Sequence, residues 1–290
     1  MLVLPGSPAF QWCKDNLEGG SSLTPGSTIT AGSPANTASS ALAIGTVSPL
    51  AKDACLLVLE IGSTRTSTSA IDRSESLDIV VDPAGGTSYS SLIDNIIMGG
   101  FDLQPGNGNP LVLWFPVWIP AGAAIALQFR AANISPNNAS CRVLVRVFGE
   151  PRRPEMWWCG QKVETLGGNA AASKGTDVTP GASNSFGSWT TIGTSTRRYG
   201  AVAAAMQVPA TTTVNLANYS MEIGYGSSKL LGSPLYYGDA NTTENMGQTG
   251  YKGTGFPIFC DVAASTTWQA RMASSVVSPQ NPNACIYGVY

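Results

Sequence analysis

Three carboxylates lie close together in the chain, Glu75, Asp78 and Asp82, and they are the nearest approach to a cation-binding set. Calcium loops take their oxygens from alternating Asp/Asn positions around a central glycine. That alternation is missing here, so no metal is expected. Asp82-Pro83-Ala84-Gly85-Gly86-Thr87 is glycine-rich but lacks the lysine and spacing of a phosphate loop, and it reads as a turn. Histidine is absent from all 290 residues. The Ser-His-Asp and Cys-His arrangements and every His-containing metal site go with it. Carboxylate-only and Ser-Lys mechanisms survive, but no spacing supports them. The expectation is a chain that is not an enzyme and takes no cofactor.

Six cysteines, Cys13, Cys55, Cys141, Cys159, Cys260 and Cys285, include no CxxC pair. They read as small buried thiols on strands, with a disulfide framework as the alternative. Aromatic residues offer binding chemistry of another kind. Trp12, Trp157 and Trp158 fall outside the best strand patterns. With Leu2, Leu4 and Phe10 of the apolar, proline-punctuated start, they are candidate subunit contacts. Tyr236, Tyr237 and Tyr251 flank a polar, glycine-rich stretch at 238–252 and are candidate glycan or receptor contacts.

Composition narrows the class. Charged residues make up 12% of the chain, about half the usual share, and the net charge is −2. No basic stripe exists to neutralise a phosphate backbone, so nucleic acid is not an expected partner. A neutral, polar surface gives little electrostatic protection against association, which hints at a surface covered in an assembly. No stretch approaches the roughly 20 apolar residues of a membrane helix, and the start has no basic region of a signal peptide. Four Asn-x-Ser/Thr triplets, at Asn133, Asn138, Asn218 and Asn241, read as chance. Gly (32) and Pro (19) are abundant, which suits an all-β chain of short strands and frequent turns.

The elements that carry these residues are written twice. Phe115-Pro116-Val117-Trp118 returns as Phe256-Pro257-Ile258-Phe259, and Gln128 and Arg130 fall over Gln269 and Arg271. Each copy ends on an aromatic-glycine pair, Phe148-Gly149 and Tyr287-Gly288. At the front, Trp12-Cys13 matches Trp158-Cys159 and Thr24-Pro25-Gly26 matches Thr179-Pro180-Gly181. An internal duplication therefore runs nearly end to end. The expected layout is an arm at 1–11, a first β-sandwich at 12–150, a Pro-rich linker at 151–156 and a second β-sandwich at 157–290. Arg130 and Arg271 then occupy matching strands. Each is either a charge on a solvated sheet face or the holder of a shared carboxylate or subunit contact.

In the first half the pattern predicts strands at 39–47, 54–61, 76–81, 92–98, 111–119, 124–131 and 141–148. The last alternates cleanly, with Val143, Val145 and Val147 on one face. In the second half, 199–208 is alanine-rich enough to pass for a helix, but its place in the repeat matches 54–61 and makes it a strand. Residues 218–225 place Met221, Ile223 and Tyr225 on one side. Seven or eight short strands per half predict two tandem jelly-roll-like sandwiches in an all-β chain.

The stretch PVWIPAGAAIALQFRAAN, followed by a strand and Phe-Gly, resembles the strand–Pro-Ala-Gly–strand ending of virion structural proteins of tailed bacteriophages. The second copy, FPIFCDVAASTTWQARMAS, lacks the Pro-Ala-Gly. The resemblance implies a head decoration or cement subunit, or a tail-attached one, located in the virion after assembly in the host cytoplasm. Its partners would be further copies of itself and other virion proteins such as the major capsid protein, with residues 1–25 as the docking arm. The alternative is a carbohydrate- or receptor-binding sandwich. An enzyme using a carboxylate pair is the third class.

Overall fold

A computed structural model describes residues 10–16, 26–44, 48–63, 75–98, 111–131, 140–151, 158–168, 175–207, 219–227, 229–232, 257–276 and 281–290. Among these the chain is all-β, with no helix. The strands of the first half are β1 (Phe10–Asp15), β2 (Ser27–Thr30), β3 (Leu42–Ala43), β4 (Leu56–Ser63), β5 (Glu75–Asp82), β6 (Ser90–Met98), β7 (Leu111–Phe115), β8 (Ala124–Ala131) and β9 (Ser140–Pro151). Those of the second half are β10 (Val163–Leu166), β11 (Thr176–Asp177), β12 (Thr190–Thr194), β13 (Tyr199–Gln207), β14 (Tyr219–Tyr225), β15 (Lys229–Gly232), β16 (Ile258–Val262), β17 (Thr267–Ser274) and β18 (Asn283–Val289).

Four antiparallel sheets result. In the first half they run β1-β9-β4-β7, with β2 also on β9, and β3-β8-β5-β6. The second half repeats this strand for strand as β10-β18-β13-β16, with β11 also on β18, and β12-β17-β14-β15. If the split first strand is counted once, each half has eight strands in the order of a jelly roll. The two sandwich sheets are 1-8-3-6 and 2-7-4-5. The duplication in the sequence is thus a duplication of topology, and the alanine-rich segment is β13, a strand equivalent to β4.

Alternation explains the cores. Val143, Val145 and Val147 of β9 face inward with Leu57, Leu59 and Ile61 of β4, against Leu77, Ile79, Leu127 and Phe129 of the opposite sheet. In the second half Met221 and Ile223 of β14 pack with Trp268, Ala270 and Met272 of β17, while Val202 and Met206 belong to the facing sheet. Tyr225 joins this core as a partly buried side chain, its ring 5.7 Å from that of Trp268.

The two sandwiches meet along a seam. β6 lies against β10 and β13, and β7 against β13. β6 is the last strand of its sheet, so its outer N–H and C=O groups need partners. The second sandwich supplies them. Tyr287 accepts a hydrogen bond from Ile97 N at 2.9 Å and donates one to Asn95 O at 3.3 Å, while its ring meets Phe115 edge-on at 5.9 Å. Ala203 sits directly opposite Tyr287 in the β13–β18 ladder and therefore shares its face. This accounts for the alanines. A strand covered on both faces, with a neighbouring sandwich close by, has room only for small side chains on the seam side.

Candidate functional site at the seam

The site is built on an irregularity in β6. The pairing of β5 with β6 slips around Asp78, so that Leu77 faces Ile96 and Ile79 faces Ile93. Asp94 and Asn95 together stand opposite Asp78, a β-bulge that re-aims the side chains of its strand. Asn95 takes a left-handed φ of 51°, a conformation that asparagine tolerates better than most residues. The bulge is pinned from both sides. Asp78 Oδ1 accepts Asn95 N at 2.8 Å, Asn95 Nδ2 donates to Gly168 O at 2.5 Å, and Thr165 Oγ1 donates to Asp94 O at 2.5 Å.

Around this bulge a cavity of about 440 Å³ opens between the sandwiches. The first sandwich contributes Asp94, Asn95 and Arg130; the second contributes Lys162, Glu164 and Thr196 among others, with Tyr290 at the end of β18. Each charge has a distinct status. Arg130 is fixed by an ion pair with Asp78, whose side chain is 3% exposed. Burial raises the Asp78 carboxyl above the ordinary carboxylate range, against the lowering effects of Asn95 N and Arg130. Glu164 is saturated: it accepts Thr196 N at 3.0 Å, Thr196 Oγ1 at 2.7 Å and Tyr199 OH at 2.6 Å. Burial, and then this bond to Glu164, push the Tyr199 phenol well above its usual value.

The matching arginines have matching partners. Arg130 on β8 holds Asp78 of β5, and Arg271 on β17 holds Glu222 of β14 at 2.6 Å. Both are therefore holders of a carboxylate on the adjacent strand. Arg271 in addition lies over the rings of Phe186, at 5.0 Å, and Trp189, at 4.7 Å. Asp82 is occupied in its turn, accepting Ala84 N at 2.9 Å and Ser88 N at 2.8 Å. None of the six cysteines forms a disulfide, and Cys55, Cys141 and Cys285 are buried.

Leu2, Leu4, Trp157, Tyr236, Tyr237 and Tyr251 lie outside the described residues, as do the stretches 101–110 and 233–256. Phe10 opens β1 opposite Pro151. Trp12, opposite Gly149 on the same strand pair, is half-buried against the core. Trp158 is 40% exposed and lies over Gly200. Trp118 is also 40% exposed, and its N donates to Gly160 O at 2.7 Å beside the Val117–Gly160 bridge. Trp118 and the Asp94–Asn95 pair are absent from the residues singled out in the sequence. The signal was present as a polar Asp-Asn pair inside the apolar run of β6, SSLIDNIIM.

No family model matches the chain, and no curated protein does. Among solved structures it is similar to a viral major capsid protein, STIV MCP, at 11% identity and a TM-score of 0.35, over 90% of this chain and 95% of that one. It is similar also to a peptide-N(4)-(N-acetyl-β-D-glucosaminyl)asparagine amidase, at 9% identity and a TM-score of 0.32, over 91% and 88% of the two chains. A third is PNGase F, a glycosylasparaginase from Flavobacterium meningosepticum, at 9% identity and a TM-score of 0.33, over 95% and 92%. The two amidases correct the expectation that the chain is not an enzyme. The exclusion of enzyme chemistry drawn from the absence of histidine is withdrawn. At these identities and TM-scores the likenesses assign no activity.

Proposed function

We propose that the chain is a structural subunit of a virus particle, a homo-oligomeric head decoration or cement protein or a tail-attached subunit. Its proposed parts are an arm at 1–11, sandwiches at 12–150 and 157–290, and a linker at 151–156. The observation that carries the reading is a pair of half-exposed tryptophans, Trp118 from the first sandwich and Trp158 from the second, on segments joined by the Val117–Gly160 bridge. Tryptophan anchors dominate binding energy at protein interfaces. The chain as a whole carries little net charge, −2 over 290 residues. Jelly rolls also recur as capsid domains, although the fold alone decides nothing. The partners are other copies of the chain and neighbouring virion proteins.

Light scattering after size-exclusion chromatography tests this. The wild type is expected to elute as a discrete multimer, and Trp118→Ala with Trp158→Ala to shift it toward monomer while the fold persists by circular dichroism. A monodisperse wild-type monomer that does not cosediment with particles would overturn the reading.

A further inference from the structure

We propose that the seam cavity binds a small polyhydroxylated ligand, a mono- or disaccharide. The proposal does not depend on the virion reading. Its volume of about 440 Å³ lies within the 300–1,000 Å³ common for ligand pockets. Its walls come from two sandwiches, a frequent setting for such sites.

The ligand class follows from which lining groups are already engaged. Glu164 is filled by three donors, and one guanidinium nitrogen of Arg130 is taken by Asp78. What is left over is of both kinds. Asp94 is exposed, and its carboxylate takes no partner among the described residues; the Lys162 ammonium likewise has none. Asn95 is 8% exposed, yet its Oδ1 accepts no hydrogen bond, an uncompensated cost for a buried polar atom. Asn95 Oδ1 is itself enclosed beside the cavity, which therefore presents acceptors on Asp94 and donors on Lys162 and Arg130. A hydroxyl both donates and accepts, so vicinal hydroxyls can bridge such an alternating set. With Arg130 already paired to Asp78, the other lining charges, Asp94, Glu164 and Lys162, are of both signs and sum to −1, which disfavours an anionic ligand. The bulge is held rigid by Asp78, Gly168 and Thr165, so the site is formed before a ligand arrives.

Saturation-transfer NMR on the full chain tests the proposal. The probes are glucose, galactose, mannose and N-acetylglucosamine at millimolar concentration, with glutamate and inorganic phosphate as contrasting arms. At least one sugar is expected to receive saturation. Asp94→Ala and Lys162→Met should each weaken its binding about tenfold or more, the loss of a charged hydrogen bond. Both lie toward the surface and should leave the melting curve unchanged. A triple Tyr236→Ala, Tyr237→Ala, Tyr251→Ala variant should bind as the wild type does. The proposal is overturned if no sugar receives saturation or if glutamate or phosphate does so in place of the sugars. It is equally overturned if the tyrosine variant, and not Asp94→Ala or Lys162→Met, loses the signal.

Discussion

At the level of single residues, charge pairs in this molecule divide by burial. Asp78 is almost fully enclosed, and Arg130 is its counter-ion. Removing one partner of such a pair strands the other charge. Arg130→Met should therefore destabilise the fold by about 3 kcal/mol in chemical denaturation. Arg198 and Asp261 also form a pair, at 2.5 Å, but both side chains stand in solvent, and Arg198→Met should leave the denaturation midpoint where it was. Asp78 carries a pH signature as well. Its folded pKa is raised, chiefly by burial, so the folded state holds the proton more tightly than the unfolded chain. The resulting stability is fully present below the unfolded pKa and is lost as pH rises through the folded one. The wild type should lose stability relative to Asp78→Asn as pH climbs through the acid range. A difference that grows in favour of the wild type would mean that Arg130 and Asn95 N outweigh burial.

At the level of elements, the repeated aromatic-glycine endings acquire a physical reason. A Cβ on Gly149 would sit 1.8 Å from Trp12 Nε1, and one on Gly288 would sit 2.1 Å from the ring of Tyr199. In both halves the glycine of the last strand leaves space for an aromatic ring from another strand. Gly149→Ala and Gly288→Ala should each cost about 1–3 kcal/mol by overpacking, measured by denaturant titration. Equal melting of either variant and the wild type would contradict the assignment. The strands most legible in the sequence were those with two neighbours or a buried face. Residues 124–131 match β8 end to end, and 199–208 was placed as a strand by its position in the repeat. The opening strands were not legible. β1, β2, β10 and β11 are short and divide one position between two pieces, so no period accumulates. Of the predicted strand at 39–47, the described residues 39–44 hold β3 at Leu42–Ala43, and Ser39 N and Ile44 N also donate to Phe129 O and Ile125 O.

At the level of the whole molecule, the seam was the part the sequence concealed. Periodicity within either half reports which face of a strand is buried, not what buries it. Tyr287 reads as the end of a repeat and turns out to satisfy the edge of β6 across the seam. The Tyr287 contact and the Val117–Gly160 bridge both join the sandwiches, so the proposed docking and ligand sites lie along one junction. Imaging of virus particles assembled in the presence of this chain tests the proposed structural role most directly. The expected result is symmetry-related density for a pair of eight-stranded sandwiches on the head or tail, with Trp118 and Trp158 at subunit contacts. Particles without such density, and a chain left entirely in the particle-free fraction, would contradict it.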